Sequence, residues 1–72
     1  MTADDVRALL KEEELDLDAI HQGLLALDPS EAFTIVKEDL VFDDRYAELI
    51  QRLSDDIDFY VRMKGVVENN GS

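Results

Sequence analysis

The sequence predicts an all-α protein: a small bundle of three or four helices, the last of which, about residues 43–67, is the longest. Three observations carry this. Apolar residues recur at helical spacing along most of the chain, helix-start signals precede the apolar runs, and nothing between those runs reads as a hairpin turn. The single proline follows Asp28, and the three glycines, Gly23, Gly65 and Gly71, are isolated.

The first start signal is Thr2 with Asp5 three residues on, a capping box using Asp for Glu, followed by Val6, Leu9 and Leu10 at helical spacing. Beyond the acidic run Glu12-Glu13-Glu14, Leu17, Ile20, Leu24 and Leu27 form a stripe, with Leu25 alongside. Residues 3–27 read either as one helix or as two with a break near Glu14–Asp16, where Asp16 would cap the second. Asp28, Pro29 and Glu31 then supply a cap, a first helical residue and its third-position acid. The helix they open runs to about Leu40, with Phe33, Val36 and Leu40 on one face. Thr34-Ile35-Val36 and Leu40-Val41-Phe42 have strand-like composition, but Lys37-Glu38-Asp39 between them is a poor hairpin turn. From Asp43 or Asp44 a last helix carries Tyr46, Leu49, Ile50, Leu53, Ile57, Tyr60 and Val61 on one stripe. Glu48–Arg52 and Asp58–Arg62 stand four apart in the favourable order. Residues 1–67 read as a single domain and 68–72 (ENNGS) as a flexible polar tail.

Composition bounds the function. Seventy-two residues support one marginal core, worth about 3–5 kcal/mol. With no cysteine and one histidine, neither disulfides nor a structural zinc can reinforce it. Completion by self-association or by a protein partner is therefore expected. A net charge of −11, from 18 acidic and 7 basic residues, disfavours direct binding to nucleic acid or to anionic membranes. It suits solubility, a basic partner, or a basic groove that this chain would occupy. The start, MTADDVRALL, has no basic and apolar leader, and no run approaches a membrane span, so a cytoplasmic protein is expected.

No pattern for nucleophilic catalysis or phosphate binding is present, and neither an enzyme nor a cofactor is expected. Asp18 and His21 have the carboxylate–histidine spacing of di-metal bundles, but such spacings are common in so acidic a chain, and no metal is expected. The informative feature lies in the second half of the last helix. There Phe59, Met63 and Val66 fall opposite the Leu53/Ile57/Tyr60 stripe, on a side that earlier carries Arg45, Glu48, Arg52 and Asp55. A helix apolar nearly all round must be covered on both sides, so Phe59, Met63 and Val66, with Arg62 beside them, are the expected partner-binding residues.

Two phrases resemble known families. In size, acidity and helical character the chain resembles acyl carrier proteins, whose phosphopantetheine arm sits on a serine opening the second helix. The resemblance would give that role to Ser30, although Asp28-Pro29-Ser30-Glu31 stands where the family has Asp-Ser-Leu. Leu25-Ala26-Leu27-Asp28-Pro29 resembles the end of a tetratricopeptide repeat. Neither phrase assigns a family. The expected function is that of a small non-catalytic protein-binding module, regulatory or assembling. The alternative is an acidic inhibitor of the phage type, mimicking nucleic acid. Its acidic face would be Glu12, Glu13, Glu14, Asp55 and Asp56, with Asp16, Asp18, Asp39, Asp43, Asp44 and Asp58 as further members; a carrier-like role for Ser30 is the remote third.

Overall fold

Helix start signals written into the chain set its architecture. A computed structural model describes residues 2–70, with Asn70 by its backbone alone. Among the described residues every regular element is helical. Five α-helices, α1 (Ala3–Leu10), α2 (Leu17–Ala26), α3 (Pro29–Ile35), α4 (Ala47–Ser54) and α5 (Ile57–Asn70), are joined by a π-helical turn at Val36–Leu40 and a 3-10 turn at Asp44–Tyr46.

Thr2 and Asp5 close the capping box reciprocally: the Asp5 N–H donates to Thr2 Oγ1 (3.3 Å) and the Thr2 N–H to Asp5 Oδ2 (2.9 Å). The Thr2 backbone N–H and then its hydroxyl hold the Asp5 carboxyl below its ordinary pKa. Asp16 caps α2 by accepting from the Ala19 N–H, so residues 3–27 are two helices rather than one. Asp28 accepts from the Ser30 N–H, with Pro29 at the first position of α3. Asp43 and Asp56 do the same for the 3-10 turn and α5, accepting from the N–H groups of Arg45 and Phe59. Each cap satisfies a donor that the first turn leaves unpaired.

The C-terminal ends of α1 and α2 are closed by cations from distant elements. Arg45 Nη1 donates to the Leu10 carbonyl at the end of α1 (3.1 Å) and Nη2 to the Glu13 carbonyl (3.0 Å), while the Tyr46 hydroxyl adds a second bond to Leu10 (2.9 Å). Arg62 Nη1 reaches the Leu25 carbonyl near the end of α2 (2.7 Å). Positive guanidinium at a helix C-terminus suits both the orphan carbonyls and the helix dipole.

After α3 the backbone widens, with the Val41 N–H bonding to the Val36 carbonyl five residues back. That spacing stacks residues five apart, so Ile35 and Leu40 both reach the interior, each fully buried. The inward positions of this segment are Ala32, Ile35 and Leu40, with Phe33 and Val36 half-buried, which corrects the expected Phe33/Val36/Leu40 face. The rest of the core comes from Val6, Leu10, Ile20, Leu24, Leu27, Tyr46, Leu49, Leu53 and Phe59. α5 folds back to lie against α3 and α4, and α1 packs on α2 and α3. The Cα radius of gyration, 11.5 Å, is close to the ~11 Å expected of a compact chain this long, so one copy encloses a core by itself.

The last helix departs most from expectation. Instead of one helix over 43–67 there are a 3-10 turn, α4 and α5, with a break at Asp55–Asp56. This split and the break before Asp16 turn three or four expected helices into five. α5 is the longest element and continues through Asn70, so residues 68–70 of the expected tail are helical; Gly71 and Ser72, like Met1, lie outside the described residues.

Tyr46→Phe removes one of the two side-chain bonds that close α1 while leaving the ring in the core. It is expected to cost about 1 kcal/mol in denaturant unfolding, the ordinary net worth of a buried hydrogen bond. An unchanged midpoint would mean that Arg45 alone closes the helix.

Candidate functional site

The break between α4 and α5 decides which side of α5 faces in. Asp55 ends α4 in a right-handed helical conformation (φ −81°, ψ −10°), and neither glycine nor proline interrupts the chain there. The interruption is made by Asp56. Its Oδ1 accepts from the Phe59 N–H (3.2 Å), while its Oδ2 meets His21 Nε2 of α2 at 2.6 Å. With side-chain exposures of 13% and 20%, His21 and Asp56 are largely sealed by the helices around them. The His21 hydrogen bond first, and the Phe59 N–H second, hold the Asp56 carboxyl below the usual carboxylate range.

With the helix restarted at Ile57, Phe59 and Val66 turn into the protein, at 4% and 7% exposure. Met63 is half-buried against the same core. The apolar face expected to meet a partner is therefore the face that holds α5 on its own chain. Arg62, expected at the rim of that patch, is committed to the Leu25 carbonyl. The outward stripe is the one expected to be core, Ile57 (76% exposed) with Tyr60 and Val61 (59% each), and Val67 (52%) is exposed beyond it. Lys64 lies on this stripe, loosely paired with Glu68 at 3.9 Å. Beside it Val36, Ile50, Leu53, Phe59, Tyr60 and Met63 line a shallow apolar groove of about 140 Å³. Phe42 (82%) and Val41 (54%), in the turn after the π-helix, are also exposed.

The proposed acidic face divides. Glu12, Glu13 and Glu14 are exposed between α1 and α2, and Asp55 is exposed at the end of α4. Asp56 is withdrawn from that face by its bonds to Phe59 and His21, which corrects its assignment to an open acidic surface. Among the other carboxylates, Asp18 pairs with Arg52, and Arg7 pairs with both Glu38 (3.5 Å) and Asp39 (3.1 Å). Arg7, Glu38 and Asp39 also border an open cleft of about 470 Å³ with Lys11, Asp43 and Tyr46.

The Asp18–His21 spacing draws neither residue to a common ligand, since Asp18 turns to Arg52 and His21 to Asp56. No cluster of three or more His, Cys, Asp or Glu suited to a metal occurs among the described residues. Ser30 is exposed at the second position of α3, its N–H held by Asp28 and its carbonyl accepting from the Thr34 hydroxyl. It borders an open cleft of about 280 Å³ with Arg62, Gly65 and Val66.

Two measurements test this geometry. Phe59→Ala should cost about 3–5 kcal/mol, comparable with the whole stability of so small a core, whereas Val61→Ala should stay within about 0.5 kcal/mol. Equal losses in denaturant unfolding would mean that the assigned faces of α5 are wrong. The lowered Asp56 carboxyl contributes stability present above the unfolded carboxylate pKa of ~3.9, and that contribution disappears as pH falls through the lower folded value. Asp56→Asn keeps a capping side chain but has no charge to lose. Its Tm should therefore fall less than that of the wild type on acidification below about pH 4, and parallel curves would remove Asp56 from the acid response. No family model, curated protein or solved structure matches this chain.

Proposed function

We propose that this chain is a non-catalytic protein-binding module that docks through the outward stripe of α5, formed by Ile57, Tyr60, Val61 and Val67. One observation carries the reading: four large apolar side chains, all more than half exposed, share one side of a single helix in a 72-residue protein. Scattered exposed apolar residues need no explanation, but aligned ones supply the i, i+3, i+4 anchors with which a helix enters a partner's groove. The groove beside Tyr60 extends the apolar area toward α4 and the π-helical turn. The module meets its partner through α5 in a regulatory or assembling role, and Phe59, Met63 and Val66 serve the fold beneath it.

A second reading, occupation of a basic nucleic-acid-binding groove, has its own support. All four arginines are turned onto the chain's own carboxylates or carbonyls, Arg45 taking the backbone carbonyl of Glu13, while the side chains of Glu12, Glu13 and Glu14 are exposed. The guanidinium charge is thereby spent within the chain, and 18 acidic against 7 basic residues leave the outward field negative.

A photo-reactive amino acid placed at Val61 in one variant and at Glu13 in another separates the two. Docking through α5 predicts protein adducts from position 61 and not from position 13, with binding nearly insensitive to salt. Adducts from position 13 alone, to a nucleic-acid-binding protein released steeply by salt, would replace this reading with mimicry.

A further inference from the structure

We propose that the outward stripe of α5 is covered by a second copy of this chain, in an exchanged dimer formed when the Asp55–Asp56 break straightens and α4 and α5 become one helix. This rests on the reading that the stripe is a docking face, and it names the occupant.

At 100° per residue, Ile57, Tyr60 and Val61 lie in line with Tyr46, Leu49, Ile50 and Leu53, the side by which α4 meets the core. The exposed stripe is thus the direct continuation of an interface already buried in the folded chain. It is out of use because the helix restarts after Asp56, turning Phe59 and Val66 inward instead.

The break is lightly held. Asp55 already has helical φ and ψ, and no residue at the junction forbids a continuous helix. What maintains it is the Asp56 cap on Phe59 and the bond from His21. Straightening gives these up, and in return the Ile57 and Asp58 N–H groups, which lie in the first turn of α5, gain carbonyl partners in α4. The straightened arm carries Phe59, Met63 and Val66 away from its own α3. The α3 of a second copy offers the identical surface, so the lost packing is recovered in trans, the ordinary economy of domain exchange. Burial of Ile57, Tyr60 and Val61 near the new junction is then a gain available to the dimer alone.

Charge also favours a second copy over a basic partner at this face. α4 balances Glu48 with Arg52, and α5 balances Asp58 and Glu68 with Arg62 and Lys64, so the whole excess of −11 lies outside these helices. A basic partner finds no net attraction along α5 itself; the straightened helix adds only Asp55 and Asp56 at its junction, so contact between two copies of it is apolar rather than ionic.

Sedimentation equilibrium of the full chain and three variants tests the exchange. Ile57→Pro is compatible with the first position of α5 but not with the interior of a continuous helix, so this variant should remain monomeric. Ile57→Ala removes the same side chain while permitting a straight helix, and it should retain more dimer. Asp56→Ala removes the cap and the His21 bond from both monomers, and should raise the dimerisation constant about tenfold or more. A wild type and an Asp56→Ala variant that both stay monomeric at the highest concentration reached would overturn the exchange. So would Ile57→Pro dimerising as well as Ile57→Ala. Adducts from position 61 to a different protein, alongside a persistently monomeric chain, would retain docking through α5 and reject only the second copy.

Discussion

The organisation of this protein turns on one carboxylate. Asp56 bonds the first turn of α5 with one oxygen and His21 of α2 with the other, tying a helix start to a helix 35 residues earlier in the chain. A restart of two residues re-phases everything after it. Phe59 then joins the core, Val66 is buried, and Ile57, Tyr60 and Val61 are left outside. With apolar residues on both sides of α5, hydrophobic burial alone does not choose between them, because either side would remove comparable area from water. The cap and its histidine add the directional term that does choose.

The same economy explains part of the acidity. Asp5, Asp16, Asp28, Asp43 and Asp56 all accept backbone N–H bonds at the starts of helical segments. Such short elements would fray without those caps, since helices of seven to ten residues are well below the length that holds in isolation. At the other ends, guanidinium groups of Arg45 and Arg62 close carbonyls that have no partner of their own. The marginal core of a 72-residue chain without cysteine is therefore supplemented by termini stitched to one another.

These local devices account for what was legible in the sequence and what was not. The capping box at Thr2, the cap at Asp16 and the Asp28-Pro29 start are written within four residues, and the structure has all three. The break at Asp56 was not legible, because Ser54-Asp55-Asp56-Ile57 contains no breaker and the apolar period runs straight through it. Its cause, His21, is remote in sequence, and a lone histidine near a carboxylate of the same helix pointed instead toward Asp18. The two faces of α5 were both visible as apolar, but their assignment followed from the assumed continuity and was inverted with it. The inward face of α3 was missed for a related reason: a π-helical turn adds a residue to the period and brings in Leu40 beside Ile35.

A sequence whose period specifies one long helix, folded with that helix broken, holds a local preference against a tertiary one. In a well-resolved conflict the losing side is erased by substitution, through a glycine or proline at the junction or polar residues on the abandoned stripe. Here neither has happened: the junction can be helical, and Ile57, Tyr60 and Val61 remain apolar although water covers them. Exposed side chains of this kind contribute nothing to the monomer's core, so their alignment with the buried stripe of α4 has no source in the stability of the single folded chain. A surface that a second helix segment or a partner can complete is the physical setting in which such a stripe has a use.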